Sequence, residues 1–175
     1  YTEEIGEAAF YGPKLDVNVK PAVGAEYTLS TCQLDFCLPA KFNLKYIDEN
    51  GERKTPVVLH RAILGSLDRF MAYILEETKG ALPIWLAPVQ VNIIPVNNEY
   101  HLEYAKEIEK MLEEANIRVK LDDRNEKLTY KMRESQTKKV PYTIIIGDKE
   151  RDANTVTVRL HGTTENITLD KDEFL

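Results

Sequence analysis

Val89-Gln90-Val91-Asn92-Ile93-Ile94-Pro95-Val96 reads as a strand, and the segments after it settle the class of fold. From Glu99 to Ala115 the apolar residues Leu102, Ala105, Ile108, Met111, Leu112 and Ala115 recur at helical spacing and share one face. Asn98 suits the N-cap of that helix and Asn116 an αL stop. A strand over Ile117–Leu121 and a shorter, basic helix over Thr129–Lys139 come next. Tyr142–Ile146 is an apolar strand running into Gly147-Asp148, and Thr155–Leu160 is another. Strands alternating with helices of this length predict a mixed or parallel α/β sheet covered by helices.

Upstream the pattern changes. Residues 1 to about 59 are β-rich, with Leu15 to Lys20 alternating apolar and polar at period two. Asn50-Gly51 predicts a tight hairpin between Tyr46-Ile47 and Val57-Val58-Leu59, with φ above zero at both central positions. Residues 60 to about 79 read as a helix with Ile63, Leu67, Phe70, Ile74 and Leu75 on one face, stopped by Gly80. Gly65 inside that helix costs about 1 kcal/mol against Ala and either marks a close backbone approach or is tolerated. Ala87-Pro88 looks like a boundary, and the expected domains are 1–84 and 85–175.

The chain has 175 residues, 43% hydrophobic and 30% charged, a globular balance that excludes disordered and collagen-like classes. No apolar run is long enough for a transmembrane helix, and no basic and apolar leader is present. Two cysteines, Cys32 and Cys37, are too few for a disulfide scaffold, so inert buried thiols in a cytoplasmic setting are expected. An opening Tyr1 close to a strand suggests a piece of a longer chain. The net charge of −6 argues against a general nucleic-acid coat. Between Arg118 and Lys139, however, eight basic residues face four acidic ones. That local surplus permits an RNA-binding patch and equally fits a solvated, salt-bridged helix face.

No Walker loop, dinucleotide fingerprint, HExxH or nucleophile elbow occurs. His60 alone is more often a satisfied core or capping residue than a metal ligand. On one continuous helix Arg69 would stand half a turn out of phase with it. Arg69 is then either a surface partner of Asp68 or Glu76, or a guanidinium fork for phosphate oxygens.

Six segments in order carry a resemblance: Phe10-Tyr11-Gly12-Pro13-Lys14-Leu15-Asp16, Gln33-Leu34-Asp35-Phe36, His60 to Phe70, Trp85 to Val91, Asp123-Arg124-Asn125-Glu126-Lys127 and Gly147-Asp148-Lys149-Glu150. Together they resemble the threonyl-tRNA synthetases, class II aminoacyl-tRNA synthetases, over nearly the whole chain. The resemblance implies part of the class II antiparallel catalytic sheet with its motif 3 helix, then a five-stranded mixed α/β anticodon-binding domain. It implies that Arg69 grips the ATP phosphates. It also implies that His60 is one of three protein ligands of a zinc ion that binds threonine through its amino and hydroxyl groups. Thr31 and Gln33 would line that pocket, and Ser66, one turn into the helix, would face the ligand. Asn125, Glu150 and Arg159 would contact anticodon bases, and Lys139 stands where the family can place an arginine. The implied partners are threonine-specific tRNA, threonine and ATP, without a membrane, in an intact enzyme that is a homodimer.

Motifs 1 and 2 and two of the zinc ligands are absent, so this chain alone is expected to be inactive and to bind neither zinc nor ATP stably. Its surviving role would be anticodon recognition. The alternatives are a stand-alone, non-catalytic RNA-binding or regulatory protein built from synthetase parts, and a small α/β metabolic enzyme, for which no complete local site exists. Strands in residues 1–80 are expected to leave edges and apolar faces uncovered.

Overall fold

The computed structural model describes residues 1–22 and 24–175, which divide into two units, Tyr1–Glu77 and Thr78–Leu175. The first contains β1 (Lys14–Val19), β2 (Tyr27–Asp35), α1 (Leu38–Lys41), β3 (Tyr46–Ile47), β4 (Arg53–Lys54), β5 (Val58–Ala62) and α2 (Leu67–Glu77). Strands β1, β2 and β5 form an antiparallel sheet in that order. Its register puts Lys14, Asp16, Thr31, Gln33, Asp35, His60 and Ala62 on one face. The opposite face carries Leu15, Val17 and Leu59, 63%, 48% and 56% exposed, so the expected uncovered apolar face is present.

Three expectations for this unit need correction. His60 lies in β5, because Val58 to Ala62 pair with β2, and the helix starts only at Leu67. Leu67 and Leu75, placed on the buried face by periodicity, are 75% and 43% exposed; the half-buried residues include Phe70, Met71, Tyr73 and Ile74. The hairpin pairs Tyr46-Ile47 with Arg53-Lys54, while Val58 and Leu59 pair with β2. Its loop has a left-handed residue at Gly51 alone (φ 79°). Asp48 holds this loop by accepting the Asn50 and Glu52 N–H groups, each at 2.9 Å. A type I turn followed by a left-handed glycine replaces the tighter primed turn.

Gly65 precedes α2, at φ +68°, and a Cβ there would stand 2.8 Å from the Leu29 carbonyl oxygen. The close approach is real, although it is not within a helix. Ser66 follows as the cap, its Oγ accepting the Arg69 N–H at 3.4 Å and its carbonyl the Phe70 N–H at 3.0 Å.

The second unit contains β6 (Val91–Pro95), α3 (Asn98–Glu114), β7 (Val119–Leu121), α4 (Leu128–Thr137), β8 (Tyr142–Ile146), α5 (Asp148–Ala153), β9 (Thr155–Leu160) and β10 (Ile167–Asp170). The sheet order is β10-β9-β8-β6-β7, with β6 parallel to both β7 and β8, and β9 antiparallel to β8. Every residue of β6 is buried. Ile93, Ile144, Ile146, Val156 and Val158 meet Ala105, Ile108 and Leu112 of α3 in one core. Burying each of the larger aliphatic side chains contributes roughly 1.5–3 kcal/mol. Asn97, not Asn98, caps α3, its side chain accepting the Glu99 N–H at 2.8 Å. Asn116 ends the helix at φ 61°, as expected. Two elements escaped the pattern reading, α5 and β10, both short.

The loop from β7 to α4 is held from several sides. Asp122, 3% exposed, takes a two-point contact from Arg124 (2.8 and 2.6 Å) and offers its carbonyl to Lys131 Nζ at 2.8 Å. Arg124 also reaches Glu134, and Asn98 Nδ2 donates to the Asp123 carbonyl. The Arg124 contact holds the Asp122 carboxyl below its ordinary range, against the opposing effect of burial. Lys138 and Arg124 do the same for Glu134.

Two outcomes are expected from these contacts. Gly65→Ala forces a left-handed φ on a Cβ that meets a backbone carbonyl, and is expected to cost about 1–3 kcal/mol in urea unfolding of the first unit. Because the folded-state pKa of Asp122 is depressed, its stabilisation is complete above an unfolded value of about 3.9 and drains away as pH falls through the folded value. Asp122→Asn is therefore expected to lower the unfolding midpoint at pH 7 and to flatten its acid dependence below about pH 4. Circular dichroism reads both, the first in a urea titration and the second in melts across pH 2–7.

Candidate functional site

In the first unit the register brings three of the implied pocket residues together. Gln33 and His60 are directly opposed across β2 and β5, and Thr31 lies two residues along the same face. Tyr11 OH donates to Gln33 Oε1 at 2.5 Å, and its ring stands edge-on to the His60 imidazole at 5.9 Å. His60 Nε2 is 2.9 Å from Asp35 Oδ2, while Asp35 Oδ1 accepts the Cys37 and Leu38 N–H groups at 2.8 and 2.9 Å. Asp35 has no exposed surface. Burial alone would raise its pKa, but the His60 and backbone hydrogen bonds outweigh it and keep the carboxyl below its ordinary range. An ionised Asp35 selects the tautomer with the proton on Nε2 and leaves the Nδ1 lone pair as His60's donor atom. Both cysteines are free and partly exposed, not buried as expected.

Arg69 and Ser66 lie at the start of α2. The Arg69 guanidinium donates to the Thr28 carbonyl at 3.4 Å and stands 5.8 Å from the centre of the Tyr27 ring. With Pro21, Tyr27 and Tyr73 it borders an open cleft of about 400 Å³. Arg69 thus sits beside the first residues of β2, whereas Gln33 and His60 meet further along that strand.

In the second unit the topology makes an edge. Chain order runs β6–α3–β7 on one side of β6 and β7–α4–β8 back across to the other, so the connections part at β6. Ligands of such sheets sit at the carboxyl ends of the parallel strands, where the connections diverge. Asn125 follows β7 and Glu150 follows β8, both at that edge. Asn125 is exposed. Glu150 is drawn toward the sheet, with Oε1 accepting the Thr157 hydroxyl at 2.6 Å and Oε2 the Gly147 N–H at 2.9 Å. Burial pushes its pKa up, yet these bonds prevail and hold the carboxyl ionised. Arg159 lies two residues beyond Thr157 on the same face of β9, and its Nε donates to Asn166 Oδ1 at 2.8 Å. Thr157 therefore holds Glu150, while Arg159 lies opposite Thr143, toward the amino end of β8. Strand alternation over Thr155–Leu160 already put Thr157 and Arg159 on one face, and was the signal for it.

Lys139 stands apart. It follows α4 in the left-handed conformation (φ 56°), at the amino end of β8, and its ammonium bonds the Lys79 carbonyl. Several basic residues of the 118–139 window also have internal partners: Arg118 ties to the Ala87 and Trp85 carbonyls, Arg124 to Asp122, and Lys131 to Asp122. Ion pairs among the described residues engage Arg124 and Lys138 of that window, while Arg118, Lys131 and Lys139 are tied to backbone carbonyls. Among the described residues no three His, Cys, Asp or Glu side chains converge on a point that could hold a metal, and no helix is long and apolar enough to cross a membrane.

Two family models match in succession: tRNA synthetase class II core domain (G, H, P, S and T) over residues 2–78, and anticodon binding domain over residues 90–175. The chain is 57% identical along its whole length to the threonine–tRNA ligase of Listeria monocytogenes serovar 1/2a and 55% to that of Staphylococcus aureus strain JH9. It spans 27% of the length of each. Among solved structures, the RNA binding domain of threonyl-tRNA synthetase from Cryptosporidium parvum superposes with a TM-score of 0.87 at 38% identity, over 97% of this chain and 42% of that one. Prolyl-tRNA synthetase from the same organism shares the fold, with a TM-score of 0.75 at 24% identity over 98% of this chain and 39% of that one. With the two domain families matched in order and this level of identity running through both units, the chain belongs to the threonyl-tRNA synthetase family.

Proposed function

We propose that the second unit reads the anticodon of threonine-specific tRNA, for an enzyme that activates threonine with ATP and transfers it to the 3′ end of that tRNA. The single observation that carries this reading is Glu150, held by Thr157 at the carboxyl edge of a domain matched to an anticodon-binding family, with Arg159 further along the same face of β9. An ionised, hydrogen-bonded Glu150 is an acceptor only, suited to base N–H donors. With Nε held by Asn166, Arg159 can turn its terminal nitrogens toward base carbonyl or ring-nitrogen acceptors. Exposed Asn125 adds an amide that both donates and accepts. Single-stranded loops present such edges, whereas duplex RNA hides them. Lys139 belongs to this reading only as a backbone contact, since its ammonium is directed at Lys79.

The first unit contributes binding groups to the activation step. Arg69 offers a planar fork to phosphate oxygens where negative charge accumulates, and Ser66 holds the helix turn that presents it. Thr31, Gln33 and His60 supply one wall of a threonine pocket, with Asp35 fixing the imidazole. When bound, zinc would order the substrate's amino and hydroxyl groups; this chain provides one imidazole nitrogen toward it, short of the three protein ligands such a site needs. The enzyme is read as a cytoplasmic homodimer.

The test is titration of the purified chain with a threonine tRNA transcript, and with the same transcript carrying a changed anticodon, across a salt series. Tighter binding to the native anticodon is expected. Arg159→Ala and Glu150→Gln should each reduce that preference by about 1–3 kcal/mol, roughly 5- to 150-fold, with little change in salt slope. Equal affinity for both transcripts, with steep salt dependence, would overturn the reading.

A further inference from the structure

Beneath α4 the second unit encloses a cavity of about 310 Å³, at the small end of the range of ligand pockets. Its floor is Asn92 of β6, 5% exposed, whose Oδ1 is buried and has no hydrogen-bond partner among the described residues. Asn92 is the polar exception in a strand otherwise of valine, isoleucine and proline. An unpartnered buried amide is costly to keep. Leu82, Ala87, Pro88 and Val89 form an apolar wall of the same cavity. Lys120 lies opposite Asn92 in the parallel register, exposed and without an ion pair among the described residues. Other cations around the rim have internal partners: Arg124 has Asp122, Lys138 has Glu134, and Lys139 has the Lys79 carbonyl.

We propose that this cavity is a nucleotide site, in which the Asn92 amide reads the edge of a base, the apolar wall covers its face, and Lys120 holds its phosphate. An amide side chain can donate and accept at once, and so matches the paired donor and acceptor on a base edge. Among the described residues that line the cavity, Lys120 is the cation without an ion pair or hydrogen-bonded partner, and one such charge suits one phosphate better than a polyanion. An inorganic anion would satisfy Lys120 but leave the amide and the apolar wall unused. The site differs from the Glu150–Arg159 cluster in its residues and in its position beneath α4. It rests on the anticodon reading only if the base belongs to tRNA; a free nucleoside monophosphate offers the same chemistry.

Titrating the ¹⁵N-labelled chain with AMP, GMP, CMP and UMP distinguishes these sources. The Asn92 side-chain amide signal is assigned by its loss in Asn92→Val. With a free-nucleotide site, at least one nucleotide shifts that signal saturably, and Lys120→Ala weakens the binding about tenfold. With a tRNA base, no mononucleotide shifts it, but Asn92→Val and Lys120→Ala each weaken threonine tRNA binding at least fivefold for native and changed anticodons alike. Lys120 is exposed, so its variant keeps the test valid if Asn92→Val fails to fold. No shift from any nucleotide, together with unchanged tRNA affinity in Lys120→Ala, overturns the proposal and leaves a hydrated cavity. Anticodon preference in the unaltered chain is read separately, so either proposal can fail alone.

Discussion

Burial of β6 on both faces is the constraint on which the second unit depends. A strand with α3 on one side and α4 on the other has no solvent to satisfy its backbone, so it must pair on both edges. It does so with β7 and β8 in parallel. Parallel pairing requires crossovers, the crossovers are the two helices, and their divergence at β6 creates the edge where Asn125 and Glu150 emerge. Hydrophobic burial thus determines where these polar groups stand, although neither of them is hydrophobic.

Polar contacts then refine what burial has positioned. The Asp122–Arg124–Glu134 cluster spends cations and carboxylates on holding the loop that bears Asn125. Glu150 is held by Thr157 and Gly147 before any ligand arrives. Side chains held in advance in this way lose less entropy when a ligand binds. In the first unit Asp35 plays the corresponding part, using one oxygen for two N–H groups at the start of α1 and the other to orient His60. Its sheet separates a polar face, bearing Thr31, Gln33 and His60, from an apolar face with Leu15 and Leu59 exposed.

Much of the second unit was legible in the chain itself. The 3.6-residue spacing of Leu102, Ala105, Ile108 and Leu112 specified α3, and alternation specified β9, because both elements bury one face against a single core. The first unit was harder to read. Around His60 a short apolar run carries no period of its own, and it became a strand because β2 was available to pair with it. Asn50-Gly51 announced a turn correctly, but Arg53-Lys54 close that hairpin, and Val58-Leu59 pair instead with β2, far away in sequence. Short α5 and β10 left too few residues for any period to show.

The order of apolar and polar residues along the chain was therefore sufficient for the α/β class, the main helix of the second unit and the family resemblance, since these depend on local spacing and residue identity. Only the tertiary structure decided that His60 faces Gln33, that Thr157 holds Glu150, and that Asn92 Oδ1 lies beneath α4 with no partner among the described residues. Those relations depend on strand register and helix placement. Register follows from the summed burial of whole elements, which no single stretch of sequence contains.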